Sequence, residues 1–169
     1  MADDGAERTR GDLLVVQPGE GASYWQPVPA NGHIDVLLSP DRVHMPSPFG
    51  LGTQTVAPGC YVREHLHDNN EEVLVCLSGT GEAELETGTH PMVPGTTLFL
   101  GRKRRHLFRN TGTEDLRVMW LILPNGLEDF FAAIGRKREP GEPAPEPFAR
   151  PPDVLEIERR TVFGTLPAE

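Results

Sequence analysis

The chain is short of cysteine, of positive charge and of long apolar runs, and each shortage removes a class of explanation. Only two cysteines occur among 169 residues, Cys60 and Cys76, and neither sits in a CxxC pair. A thiolate zinc site therefore finds no support, and two isolated thiols point to a reducing compartment. Sixteen Lys and Arg face twenty-five Asp and Glu, for a formal net charge of −9. An acidic chain gains nothing from releasing counterions on a phosphate backbone, so nucleic acid is not expected as a partner. No apolar run approaches the length that spans a bilayer, and the start, Met1-Ala-Asp-Asp-Gly, lacks the apolar stretch of a signal peptide. A cytoplasmic protein without a membrane partner is the expectation.

What the chain has in quantity is punctuation: 18 Gly and 17 Pro. Frequent breakers suit many short strands joined by turns better than a helical bundle. Strand candidates are Leu13–Val16, Ile34–Leu38, Leu51–Ala57, Tyr61–His67, Glu72–Leu77, Glu82–Glu86, Thr96–Leu100, His106–Asn110 and Leu116–Leu123, with Ser23–Pro29 as an extended arm and turns at Gly88 and Pro94-Gly95. Gly126–Gly135 reads as a short helix with acids in its first turn and Gly135 as its C-terminal cap. The organisation expected is a disordered start over 1–12, a barrel with its arm and helix over 13–135, and a Pro-rich strap with a short terminal helix (Val154–Arg160) over 136–169.

The chemistry concentrates in Gly59-Cys-Tyr-Val-Arg-Glu-His65-Leu-His67-Asp-Asn-Asn-Glu-Glu72. Residues two apart on a strand share a face, so His65 and His67 project side by side. Asp68–Glu71 can turn the chain back and present Glu72 beside them, and His106 on its own strand can add a third imidazole. Three imidazoles and one carboxylate suit one divalent transition metal: Fe, Mn, Ni, Co or Zn. Octahedral coordination would leave open positions for substrate or oxygen, which distinguish a reactive site from a structural one. His33, His44 and His90 sit in turn-like contexts without partners at ligand spacing.

The pattern Gly59-x5-His65-x-His67-x4-Glu72-x6-Gly79, followed by Gly88-x5-Pro94-Gly95 and His106-x3-Asn110, resembles the two-part signature of the cupin superfamily. The first part matches at every fixed position. The second departs in that Pro94 and Gly95 are adjacent, and ten residues, including Arg102-Lys103-Arg104-Arg105, separate Gly95 from His106. The resemblance implies an all-β fold, a double-stranded β-helix or jelly-roll barrel with a short C-terminal helix and extended tail. It also implies a metal inside the barrel and a homodimer. The last strand and the segment Pro124–Gly135 resemble those of small bacterial quercetin-dioxygenase-like proteins.

Strand parity places Tyr61 and Arg63 on the face of His65 and His67, and Phe108 on the face of His106. These three are the candidate contacts for a small-molecule substrate in a mostly apolar interior. Leu74 and Cys76 share the face of Glu72 and read as barrel filling. Glu72 is either a fixed ligand or a catalytic general base that takes a proton from a bound hydroxyl. With Fe or Mn favoured, the expected function is dioxygenase chemistry on a small enol- or catechol-like substrate. The alternatives are a metal-dependent isomerase, cyclase or lyase acting on an enolisable carbonyl, or a binding module without catalysis. The basic run Arg102–Arg105 reads as a solvated turn, and the apolar side chains of the helix read as packing against the sheet.

Overall fold

A computed structural model of the protein describes residues 10–166. Of the start expected to be disordered, residues 1–9 lie outside that range. The architecture is mostly β, two antiparallel sheets closing on one core, with two short helices. Strands β1 (Ala22–Trp25), β2 (His33–Leu38), β3 (Gly50–Val56), β4 (Tyr61–His65), β5 (Glu71–Ser78), β6 (Gly81–Leu85), β7 (Gly88–Met92), β8 (Thr97–Leu100), β9 (His106–Asn110) and β10 (Leu116–Leu123) precede α1 (Leu127–Ile134), β11 (Arg136–Lys137) and α2 (Val154–Arg160). The larger sheet runs β11-β1-β2-β3-β10-β5-β8, and the smaller runs β4-β9-β6-β7.

Period-two alternation builds the interior. In β10 Leu116, Val118, Trp120 and Ile122 point inward, in β5 Glu72, Leu74 and Cys76, and in β9 His106, Phe108 and Asn110. Two polar members of these inward rows, Glu72 and His106, fall towards the end where α1 and the C-terminal tail gather. Deeper in, Leu74, Phe108 and Trp120 are almost wholly buried. Asn110 ties the far end together by donating Nδ2–H to the carbonyls of Val56 (2.9 Å) and Glu114 (2.8 Å).

Three local expectations are corrected, and one is met. Leu13–Val16 forms no strand, and Leu13 is exposed. The outer side of β1 is paired instead with β11, through Tyr24 opposite Lys137 and Trp25 opposite Arg136. The region of Gly88 is strand rather than turn: β7 pairs with β6 and tolerates Pro91 because it is the sheet edge. His33 and His90 lie in strands, not turns, with side-chain partners Thr55 Oγ1 and Thr87 Oγ1. Gly135 caps α1 as expected, in an extended conformation (φ −89°), its N–H donated to Phe131 O at 2.9 Å. Glycine is required there by crowding, since a Cβ would stand 2.8 Å from Tyr24 Cβ and 2.9 Å from Trp25 O.

After β11 the Pro-rich strap crosses the β1–β2 corner, where Phe148 O accepts from Val28 N–H (2.9 Å) and the Phe148 ring lies under the Arg136 guanidinium. It then delivers α2 and the segment Thr161–Gly164 to the end of the barrel where His65 and Glu72 emerge. Among the described residues no helix is long and apolar enough to cross a membrane.

Candidate metal centre

His65, His67, Glu72 and His106 come together, all buried, with one ligand atom from each lying within 4.8 Å of the others. The fold produces this from three extended pieces. His65 and His106 are opposite each other in the β4–β9 ladder, and their ring centroids are 4.0 Å apart. His67 lies two residues beyond the end of β4, not on the strand, with its ring 5.2 Å from that of His65. Glu72 enters from β5, the returning strand.

The three imidazoles are fixed in the same way. Nδ1 of His65 lies 2.8 Å from Arg63 O, that of His106 3.0 Å from Arg104 O, and that of His67 3.0 Å from Val162 O. A carbonyl only accepts, so each Nδ1 carries the hydrogen and each neutral ring is left with a bare Nε2. Nε2 of His67 and of His106 then stand 3.3 and 3.1 Å from Glu72 Oε2. All three of these atoms are buried without a hydrogen bond of proper geometry. Lone pairs facing a carboxylate oxygen repel it unless positive charge sits among them. A divalent cation at the shared point would supply that charge, and the donor set, three nitrogens and one oxygen, suits a transition metal.

The protonation tendencies agree with this arrangement. Burial pushes the His65 imidazole well below its ordinary pKa, and the neighbouring His106 and His67 add to that, keeping it neutral. Burial would raise Glu72, but the facing imidazoles of His106 and His67 outweigh it and hold the carboxyl well below the usual carboxylate range. Burial would likewise lower His67, but Glu72 overcomes it and the net shift is upward. An ionised Glu72 beside a neutral His65 suits a cation.

The cluster opens on a cleft of about 600 Å³, counting the solvent at its mouth, whose wall includes His65, Glu72, Phe108, Phe130, Phe131 and Phe163. Tyr61, Val62 and Arg63 all line it. Strict alternation would have excluded Val62, but the β4–β9 pairing slips between Val62 and His65. Leu74 and Cys76 are core residues, and Phe108 serves both core and cleft. The run Arg102–Arg105 is an exposed turn whose Arg104 pairs with Glu86 at 2.6 Å. Phe130 and Phe131 of α1 are buried in the core and also face the cleft.

Several residues escape the strand argument altogether. Val162 orients His67. The Phe163 ring lies 5.3 and 5.2 Å from the His65 and His67 rings and 4.4 Å from Phe130. Gly164 donates its N–H to Leu66 O at 2.9 Å, and a Cβ there would collide with the Leu66 side chain and Asp68. Arg150 reaches the cleft from the strap, and Glu158 of α2 pairs with both Arg63 and Arg150. The one signal in the sequence was an amphipathic turn pair, Val154–Arg160, running into Val162-Phe163 after a polar strap.

A model of the cupin domain family matches residues 52–122. The chain is 34% identical over 93 residues to Protein SchB of Streptomyces halstedii, covering 55% of this chain and 67% of that protein. It is 30% identical over 123 residues to the tetracenomycin polyketide synthase protein TcmJ of Streptomyces glaucescens, covering 73% of this chain and 78% of that one. Among solved structures, the polyketide cyclase RemF of Streptomyces resistomycificus superposes with a TM-score of 0.57 at 20% identity, over 66% of this chain and 80% of that one. That last likeness concerns the fold.

Proposed function

The chain belongs to the cupin superfamily, and from that membership we propose that it is a metal-dependent cyclase-type enzyme acting on an enolisable carbonyl of a polyketide. The observation that carries the reading is the buried three-histidine, one-glutamate cluster opening on an aromatic-walled cleft. A relative matched over most of its length is named as a polyketide synthase protein, which favours ketone chemistry. The dioxygenase reading rested on Fe or Mn at the cluster with Glu72 taking a proton from a bound hydroxyl, and it gives way to this alternative because the relative TcmJ is named as a polyketide synthase protein.

His65, His67, Glu72 and His106 would hold the ion, whose chemistry is to withdraw electrons from a carbonyl oxygen and so acidify the neighbouring C–H. Glu72 would be the carboxylate ligand of the set, beside the three imidazoles. Phe108, Phe130, Phe131 and Phe163 exclude water from the cleft and give a flexible polyketone a surface to fold against. Tyr61 and Arg63 supply polar contacts at the wall.

Incubation of the metal-loaded protein with a linear aryl poly-β-ketone, followed by ultraviolet absorbance and an oxygen electrode, tests the reading. Aromatic product should form with loss of water at the same rate with and without oxygen. Oxygen uptake matching product would return the dioxygenase reading. Tight substrate binding without turnover would make the protein a binding module.

A further inference from the structure

The wall of the cleft beside His65 carries a charge imbalance. Arg63 of β4 and Arg150 of the strap both line the cleft, and both point Nη2 at the same atom, Oε1 of Glu158. Two guanidiniums therefore share one carboxylate, leaving one positive charge in excess. The Glu158 side chain is 11% exposed, those of Arg63 and Arg150 31% and 21%. Arg63 spends Nη1 on Glu64 O at 3.3 Å, whereas the remaining N–H groups of Arg150 have no partner among the described residues. The rest of the wall is largely aromatic and aliphatic. The excess cation is out of keeping with a chain whose net charge is −9.

We propose that Arg63 and Arg150, held by Glu158, form a carboxylate-binding subsite in the cleft that anchors an acidic end of the substrate. A planar guanidinium with free N–H groups matches a carboxylate through paired hydrogen bonds, and an apolar surround strengthens the attraction over that in water. Burial, and then the charge of Arg150, lower the Arg63 pKa without discharging it, as expected of two cations pressed together. A polyketone acid carries its carboxylate at one end and its enolisable carbonyls along the chain. Anchoring the acid on this wall leaves those carbonyls facing His65 and Glu72. The inference rests on the polyketide reading for the identity of the substrate and on the geometry alone for the anion.

Calorimetric titration of the purified full-length protein with 2,4-dihydroxybenzoate and with its methyl ester tests the subsite. The acid should bind about tenfold or more tightly than the ester, the range a charge-assisted hydrogen-bond pair gives. Arg150→Gln should bring the two within about twofold, and Arg150→Lys should keep part of the difference. Glu158→Gln gives the discriminating sign: it takes the wall from one excess charge to two, so the acid should bind more tightly, whereas a purely structural trio would bind it more weakly. Equal affinities for acid and ester in the native protein, or no acid binding at millimolar concentration, would overturn the proposal. So would a preference for the acid that survives in both Arg63→Gln and Arg150→Gln, since it would then arise at the metal centre. Turnover enters none of these arms. Loss of the preference with cyclisation intact rejects the subsite alone, and an intact preference without cyclisation rejects the enzymatic reading alone.

Discussion

The barrel strands and the C-terminal tail both build the candidate metal centre, and they do so by different means. His65 and His106 are each oriented by a carbonyl two residues back in their own chain segment, Arg63 O and Arg104 O. His67 is oriented by Val162, 95 residues away. The first kind of support is present wherever the strand folds. The second exists only when the tail is docked by α2, by Phe163 against His65, His67 and Phe130, and by Gly164 against Leu66. The ligands therefore belong to the strands and their connections, and the tail acts on the quality of the site.

The largest effect should come from removing a strand ligand. His65→Ala or His106→Ala should each strip most of the metal, read by elemental analysis after dialysis, a loss beyond the roughly 10–100-fold attached to an outer-shell partner. Full occupancy in both variants would reject the ligand assignment. Next comes the tail. Ending the chain after Arg160 removes the Val162 carbonyl and Phe163, and should lower metal affinity by about 10–100-fold, measured by competition with a chromogenic chelator. A truncated chain that binds as tightly as the full one would make the tail a bystander. Phe163→Ala should cost about 2 kcal/mol of stability in urea unfolding, less than the ~3–5 kcal/mol of a wholly buried phenylalanine because this ring is only partly covered. Arg104→Ala should leave the unfolding midpoint unchanged, because its pair with Glu86 lies in solvent; a clear drop would show that the Arg102–Arg105 turn holds His106 in place.

The same contrast explains what could be read in the sequence. Strand alternation is local, so the HxH pair, Glu72 and His106 could be brought together on paper, and the inward rows of β5 and β9 followed from the same rule. It erred where local pattern and tertiary pairing part company. Leu13–Val16 has strand composition but pairs with no strand, and β11 lies beside β1. Gly88-Thr-His-Pro-Met92 has turn composition but an edge to lie on. The slip between Val62 and His65 rotates β4 against β9 and brings Val62 to the cleft with its neighbours. The tail was out of reach for a further reason. Its contribution is a backbone carbonyl, which any residue type at position 162 would offer, and two charged residues, Arg150 and Glu158, whose pairing with each other and with Arg63 is known only once the strap has been traced.

The hydrogen bond from His67 to Val162 also sets an order of events during synthesis. A chain leaves the ribosome from its N-terminus, so all four ligand residues emerge well before Val162 does. The nascent barrel can gather its imidazoles and carboxylate while the His67 ring is still free to choose either tautomer. The cluster reaches its finished geometry only when translation has passed residue 164, and the core closes at the same moment, because Ile157 and Val162 of the tail pack in it.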